Sequence, residues 1–138
     1  MTITASIKNS FNIQDIVVST NDNKKFIDIA AKKEGYGSSI NGGELLFLAL
    51  ATCFCNDIYR EASKRKMNLH AVEVFVSGEF GVEGEPASAI TYNCKIDAPH
   101  YPQQEINDLV EYVDKVAEVH NTLRKGIDLS VRNDPELI

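Results

Sequence analysis

The sequence lacks the features that mark several classes of protein. It has no low-complexity stretch and no internal repeat, and its 14 basic residues are outnumbered by 20 acidic ones, for a net charge of −6. A nucleic-acid partner, which needs a basic face, is therefore not expected. The start MTITASIKNSF has neither the charged segment nor the long apolar segment of a signal peptide, and the apolar run 45–55 is too short to cross a bilayer. We expect a cytoplasmic protein with no membrane partner.

Cysteine is scarce as well. The three cysteines, Cys53, Cys55 and Cys94, are an odd number in a chain without an export signal, so they are interpreted as thiols and not as a disulfide framework. A metal site built on Cys53 and His120 lacks both a sufficient number of ligands and a spacing motif. The sequence therefore predicts no metal and no cofactor.

What is present is the composition of one folded domain. The 138 residues, 43% of them hydrophobic, can bury a core but are too few to suggest a second domain, so residues 1–138 are assigned to one domain. Apolar residues that alternate with a period of two predict six strands. The pattern is weak in TITASI, QDIVVST and KKFIDIAA, clear in HAVEVFVSGEF and AITYNCKID, and present again in GIDLSVR. In the two clear strands, the residues that share a face are Val72, Val74 and Val76, and then Ile90, Tyr92, Cys94 and Ile96.

The first of two predicted helices follows a Gly-rich loop. Asn41 and Glu44 have the spacing of a capping box, which predicts a helix from there to about Lys66. Its first half, ELLFLALATCFC, is apolar on every face, which is typical of a helix surrounded by protein. Its second half, NDIYREASKRK, is predicted to be solvated, with Arg60 and Glu61 as surface charges.

The second predicted helix is PQQEINDLVEYVDKVAEVHNTLRKG, which ends near Gly126 and carries His120 on its apolar stripe. The resulting order, βββ-α-ββ-α-β, defines an α+β fold with a largely antiparallel sheet around a buried central helix. One layer of strands covers only one side of a helix that is apolar all round. A homodimer that buries the first helix is therefore expected.

With these elements in place, the chain resembles the OsmC/Ohr family of osmotically inducible and organic-hydroperoxide-resistance proteins. The resemblance covers nearly the whole chain. It rests on GELLFLALATCF, which is similar to the family's helix start P-x-E-L-L-x-x-A-L-A-x-C-F, and on HNTLRKGIDL, which is similar to the segment leading into the last strand. It implies an OsmC-like fold, an intertwined homodimer with active sites at the subunit interface, and reduction of organic hydroperoxides by a two-cysteine thiol centre.

The same resemblance implies roles for individual residues. Cys53 falls on the peroxidatic cysteine, and Glu44 matches a family glutamate. The second, resolving cysteine of the family falls on Ala117, or near His120 in a shifted register, so this chain is a divergent member that lacks it. The arginine that the family takes from the N-terminal strands is also missing, because Arg60 is the first arginine of the chain.

Each of these residues also has a structural interpretation. Cys53 can be a small hydrophobe in a buried helix, and Glu44 can serve only as the cap. His120 can be a hydrogen-bonded core histidine, or it can approach Cys53 and form a thiolate–imidazolium pair in place of the missing arginine. Cys55 points about 200° away from Cys53 around the helix, so it is assigned to packing, and Cys94 is assigned to the core.

Two functions remain open. In the first, Cys53 reduces an apolar organic hydroperoxide as the only protein nucleophile, with Glu44 and His120 as further catalytic residues and an external thiol as reductant. In the second, a dimeric protein has kept the fold and the interface pocket, has lost the redox chemistry, and binds a small apolar molecule. The presence of Cys53 favours the first function, and the missing second cysteine and early arginine favour the second.

Overall fold

The structure is a computed structural model that describes residues 1–132. Its elements are β1 (Ile3–Ser10), β2 (Ile13–Thr20), β3 (Asn23–Phe26), α1 (Gly42–Lys64), β4 (Ala71–Phe80), β5 (Ala87–Asp97), α2 (Gln103–Val116) and α3 (Glu118–Lys125). The predicted α+β class with antiparallel strands is confirmed, although the strands form two sheets and not one. Among the described residues, no helix has both the length and the hydropathy needed to span a membrane.

The chain divides into two compact units, residues 1–45 with 130–132 and residues 46–129; the assignment of residues 1–138 to one domain stays a prediction. The first unit is an antiparallel sheet in the order β1–β2–β3. The predicted strand KKFIDIAA is too long, because β3 ends at Phe26. The N–H of Ile27 still donates to Ile16 O of β2 at 3.2 Å, and beyond it the contact with β2 is a side-chain bond from Gln14 Nε2 to Ile29 O at 3.1 Å. Beyond it the chain turns back on itself, and the N–H of Lys32 donates to Gly37 O at 3.0 Å. The turn therefore satisfies backbone N–H and C=O groups that a longer β3 would have paired with β2.

Helix α1 begins with the predicted capping box. The N–H of Glu44 donates to Asn41 Oδ1 at 2.9 Å, and the N–H of Asn41 donates to Glu44 Oε2 at 2.8 Å. The reciprocal pair satisfies two backbone donors at the helix start that have no partner inside the helix. The sequence therefore located the start of this helix, and it placed the end two residues beyond Lys64.

The second unit packs its helices against one face of the β4–β5 hairpin. The core residues that the helices and their junction contribute are Phe54, Ile58, Ala62, Leu109, Val113 and Ala117. The face of the hairpin that meets these helices is formed by three cross-strand pairs: Val72 with Ile96, Val74 with Cys94, and Val76 with Tyr92. The faces predicted for these two strands are thus confirmed, because alternation with a period of two can bury one side of a hairpin against helices.

In the single chain the apolar first half of α1 is only partly covered, whereas part of the polar second half is buried. In the apolar first half, Leu45 is 39% exposed and Leu48 is 56% exposed, whereas Asp57 and Glu61 in the polar second half are 4% and 5% exposed. The prediction that both Arg60 and Glu61 are surface charges is therefore wrong for Glu61. An apolar pattern indicates which side chains favour burial. Which of them are buried depends on packing, and here α2 and the β4–β5 hairpin cover the second half of α1.

The predicted second helix is broken at Ala117 into α2 and α3. Ala117 has an extended backbone, with φ −66° and ψ 109°, so carbonyl groups at the end of α2 lose helical partners. Side chains of α3 replace two of them. Arg124 Nη1 donates to Asp114 O at 2.8 Å, and Asn121 Nδ2 donates to Lys115 O at 3.0 Å. Neither proline nor glycine stands at the break, and the apolar stripe continues through it. The sequence therefore carries no signal that the helix is interrupted.

The last predicted strand, GIDLSVR, is not formed. Helix α3 ends at Gly126, whose φ of 62° is the left-handed conformation typical of a helix C-terminus, and residues 127–132 carry no strand. Ile127, Leu129 and Val131, which alternate as a strand would, are all exposed. A strand needs a neighbour for its hydrogen bonds, and within residues 1–132 no strand pairs with this segment. The predicted order therefore ends, over the described residues, in a third helix.

Candidate functional site

Helix α1 places a thiol, a carboxylate and a guanidinium in a row. Cys53, Asp57 and Arg60 are separated by four and then three residues, so their side chains lie on one face of the helix. The Sγ of Cys53 donates to Oδ2 of Asp57 at 3.5 Å, and Nη1 of Arg60 lies 2.7 Å from Oδ1 of the same carboxylate. Asp57 therefore connects the thiol to the guanidinium.

The start of α3 adds a second carboxylate to this row. Glu118 Oε1 lies 3.6 Å from Arg60 Nη1, which completes a group that we call the Cys53 cluster: Cys53, Asp57, Arg60 and Glu118. The sulfur and the two carboxylates offer ligand atoms within 4.8 Å of one another, a spacing that a metal ion could use. Arg60 already pairs with both carboxylates, however, so we interpret the cluster as an ion-pair group around a thiol.

The environment of the cluster keeps the thiol protonated at neutral pH. Burial raises the pKa of Cys53, and the negative charges of Asp57 and Glu118 raise it too, while the backbone N–H of Val119 opposes them. Burial also raises the pKa of Asp57, against the lowering effect of Arg60. A carboxylate with a raised pKa is a stronger base than an ordinary aspartate, so Asp57 is suited to accept a proton from Cys53.

His120 lies against aromatic rings. Its ring centroid is 4.5 Å from that of Tyr92 and 5.4 Å from that of Phe54. The residue is buried, as predicted, and within residues 1–132 neither ring nitrogen has a protein hydrogen-bond partner, so no hydrogen bond joins it to Cys53. Burial lowers the pKa of His120, and the charge of Arg124 lowers it further. The imidazole is therefore neutral near pH 7.

The polar groups beside His120 are engaged with one another. Tyr92 donates to Asp114 Oδ1, and Arg124 Nη2 donates to Tyr92 Oη at 2.9 Å and to Asp114 Oδ1 at 2.5 Å. Burial and the bond to Asp114 raise the pKa of Tyr92 to about 12, and the bonds from Tyr92 and Arg124 lower the pKa of Asp114. This network takes up the hydroxyl and guanidinium groups and leaves the imidazole of His120 without a partner.

The other residues singled out in the sequence lie elsewhere. Glu44 is held by the cap at the start of α1, and the cysteines Cys53, Cys55 and Cys94 are all free. Cys94 packs against the core, where burial raises its pKa, as its assignment to the core predicted. Cys55 lines a shallow pocket on α1 beside β4. The position of the family's resolving cysteine, Ala117, is fully buried.

Three members of the Cys53 cluster were not predicted. Asp57 and Arg60 had a signal in the sequence, since they stand four and seven residues after Cys53 on one helix. Arg60 was instead assigned to the solvated half of the helix. Glu118 had no such signal, because its place next to Arg60 depends on how α3 packs after the break at Ala117.

The molecule is thus an α+β protein whose long helix presents a thiol beside a carboxylate–arginine pair. The family described as OsmC-like protein matches residues 35–132, and the chain belongs to this family. The resemblance drawn from the helix start and from the segment after His120 is confirmed. No match was found among curated proteins.

Solved structures share this fold at low sequence identity. The chain is similar to an OsmC-like protein from Mycoplasma pneumoniae, with 18% identity, 89% of each chain covered and a TM-score of 0.62. It is also similar to an organic hydroperoxide resistance protein from Legionella pneumophila, with 21% identity, 93% of each chain covered and a TM-score of 0.61. For the organic hydroperoxide resistance protein OhrB of Bacillus subtilis the identity is 15%, the coverage is 93% of this chain and 94% of that chain, and the TM-score is 0.54. These similarities establish the fold and not the reaction.

Proposed function

We propose that this OsmC-like protein is a thiol-dependent organic hydroperoxide reductase in which Cys53 is the only protein thiol that reacts. The proposal rests on the hydrogen bond from Cys53 Sγ to Asp57 Oδ2 at 3.5 Å, with Arg60 on the other carboxylate oxygen. A thiol, a carboxylate and an arginine are the groups that the family resemblance implies, and here one helix supplies all three. The relatives from L. pneumophila and B. subtilis, both named for organic hydroperoxide resistance, support the substrate class.

The proposed reaction starts when the sulfur of Cys53 attacks the terminal oxygen of R–O–OH. The S–O bond forms while the O–O bond breaks, the thiol proton passes to Asp57, and the leaving alkoxide takes a proton and becomes an alcohol. An external thiol then attacks the sulfenic acid and releases water, which gives a mixed disulfide. A second external thiol releases Cys53 and forms the disulfide of the reductant. The two electrons that the sulfur loses are thus returned by the reductant.

Asp57 and Arg60 serve the first step. Cys53 is protonated in the resting protein because burial and the neighbouring carboxylates raise its pKa, so the proton must leave during the attack. Asp57 is the acceptor within hydrogen-bond reach, and it can return the proton to the alkoxide. Arg60 fixes the orientation of the carboxylate and balances its charge. The scheme makes no use of Glu44 or His120.

A homodimer, an apolar substrate and a cytoplasmic location belong to the same proposal. Leu48 lies on the same helix as Cys53 and is 56% exposed in the single chain. A second copy that covers this part of α1 would remove apolar surface from water and favour a hydroperoxide with an apolar tail. A reducing compartment would supply the external thiol.

A second candidate function is that of a non-catalytic dimeric protein that binds a small apolar molecule. The raised pKa of Cys53 favours it, because reactive cysteines usually have a lowered pKa. The buried alanine at the position of the resolving cysteine favours it as well. In such a protein the contacts within the Cys53 cluster contribute to stability alone.

Turnover separates the two functions. With cumene hydroperoxide and excess dithiothreitol as external thiol, the native protein is expected to consume peroxide at a rate proportional to its concentration. Cys53→Ser is expected to lower this rate about 100-fold or more, whereas Cys55→Ser, a matched control on the same helix, keeps it. Equal peroxide consumption by the native protein and the Cys53→Ser variant would contradict the reductase and leave the binding protein.

A further inference from the structure

Two histidines that are distant in the sequence are neighbours at one end of the β4–β5 hairpin. The ring centroids of His70 and His100 are 5.8 Å apart, and the ring planes are nearly perpendicular, at 81°. A carboxylate stands beside them, because Nδ1 of His70 lies 3.8 Å from Oδ2 of Asp97. All three side chains are exposed, and none belongs to the Cys53 cluster. We call these three residues the His70–His100 site.

Backbone hydrogen bonds hold the segments that carry the three side chains. The N–H of His70 donates to Asp97 O at 2.8 Å, where β4 begins and β5 ends. The turn that carries the second histidine is closed by the N–H of Tyr101, which donates to Ala98 O at 3.1 Å. The N–H of Asn68 donates to Tyr101 Oη at 2.8 Å and connects this turn to the segment before β4. The three backbone positions are therefore set before a ligand binds, which lowers the entropic cost of binding.

The separations in the His70–His100 site are close to those around a metal ion. Zn²⁺ binds histidine nitrogen and carboxylate oxygen at about 2.0 to 2.2 Å in a tetrahedral arrangement, so two ligand atoms lie about 3.4 Å apart and two imidazole rings about 5 to 6 Å apart. The observed separations are 3.8 Å and 5.8 Å. Among the described residues the three side chains do not yet bring their ligand atoms within 4.8 Å of one another, so binding requires a change of rotamer. Exposed side chains change rotamer within nanoseconds.

The three side chains define the class of ion. Two imidazoles and one carboxylate suit Zn²⁺ and similar transition metals, whereas Mg²⁺ and Ca²⁺ take oxygen ligands. We propose that His70, Asp97 and His100 bind one divalent transition-metal ion of the zinc type, with water at the remaining coordination position. The site does not involve Cys53, so it is independent of the proposed reduction.

Calorimetry with ZnCl₂ on the full chain carrying Cys53→Ser tests the site. This background removes the thiol of the Cys53 cluster, which is another place where zinc can bind. We expect one Zn²⁺ to bind per chain, and Mg²⁺ in the same titration to bind at least tenfold more weakly. No zinc binding at submillimolar concentration, or equal binding of Mg²⁺, would overturn the proposal.

Variants of the three residues assign the binding to the site. In the same background, His70→Ala, His100→Ala and Asp97→Asn are each expected to weaken zinc binding at least tenfold. Asp108→Asn, at an exposed carboxylate on α2, is the control and leaves the affinity unchanged. Thermal unfolding verifies that each variant is folded. Unchanged zinc affinity in any one of the three folded variants overturns the site even if Cys53 is active, and absent turnover in the native protein leaves it standing.

Discussion

Cys53 and Asp57 lie one helical turn apart on α1, with the thiol sulfur 3.5 Å from a carboxylate oxygen. The carboxylate is almost wholly buried, and Arg60 is its cationic partner. The contact has two opposite consequences for the thiol. The negative charge of Asp57 raises the pKa of Cys53, and its free lone pairs accept the proton that Cys53 must lose.

Replacing Asp57 with asparagine should make Cys53 easier to alkylate. The substitution removes a negative charge next to the sulfur, so the pKa of Cys53 falls and more thiolate is present at pH 7.5. We expect iodoacetamide to modify Cys53 several-fold faster, as measured by mass spectrometry of the Cys53 peptide. Asp108→Asn, which changes an exposed carboxylate on α2, serves as the control and leaves the rate unchanged. A rate in Asp57→Asn equal to the native rate would contradict the electrostatic account.

Removing Arg60 should destabilise the protein. Arg60→Ala leaves the buried charge of Asp57 without its cation and removes one of the two cations that bind Glu61, and the pKa of Asp57 rises further because Arg60 lowers it in the native protein. We expect a loss of about 1 to 2 kcal/mol in the free energy of unfolding, less than for a fully buried pair because Arg60 itself is 41% exposed. Urea denaturation at pH 7 measures it. Lys64→Ala removes the other, more exposed cation of Glu61 and leaves Asp57 paired, so it should cost less; equal losses would show that the contact of Arg60 with Asp57 adds nothing beyond its contact with Glu61.

The burial of His120 should make stability fall with acidification. Its folded pKa is lowered, so below the ordinary pKa of about 6.5 the unfolded chain binds a proton that the folded chain refuses, and unfolding is favoured as pH falls. The positive charge of Arg124 opposes protonation of His120, and the negative charge of Asp114 favours it. Folded His120→Leu should lose less stability than the native protein between pH 7.5 and 5.5, measured by urea denaturation. Parallel curves for His120→Leu and the native protein would show that His120 is not buried as a neutral group.

Asp114 should stabilise the protein at neutral pH and cease to do so in acid. Its pKa is lowered by the hydrogen bonds from Tyr92 and Arg124, so its contribution is complete above the ordinary value of about 4 and is lost as pH falls through the folded value. Asp114→Asn should reduce the free energy of unfolding by about 1 kcal/mol at pH 7, a modest loss because the pair is nearly half exposed. The difference from the native protein should shrink as pH falls below 4. A difference that is constant with pH would rule out the ionic contribution.

The sequence predicted the elements whose patterns agree with their surroundings. The alternation in β4 and β5 located the buried face of the hairpin, because Val74 and Cys94 meet as a cross-strand pair over the helices. The spacing of Asn41 and Glu44 located the start of α1, because a capping box depends only on residues close in the chain.

The features that were missed depend on contacts between distant parts of the chain. The break at Ala117 has no proline or glycine and is supported by Arg124 and Asn121, which satisfy carbonyl groups at the end of α2. That break places Glu118 next to Arg60, so the Cys53 cluster could not be assembled from one segment. The alternation in GIDLSVR predicted a strand, but alternation specifies one only where a partner strand is available.

The most direct test of the central claim is the oxidation of Cys53 by one equivalent of cumene hydroperoxide at pH 7.5, followed by trapping of the sulfenic acid with dimedone and mass spectrometry. The account predicts that Cys53 of the native protein is oxidised, and that Asp57→Asn is oxidised about 100-fold more slowly although it is alkylated faster, because asparagine cannot return a proton to the leaving alkoxide, whereas the iodide released in alkylation needs none. Cys53 that stays unoxidised in the folded native protein, or that is oxidised as fast in Asp57→Asn, would contradict it.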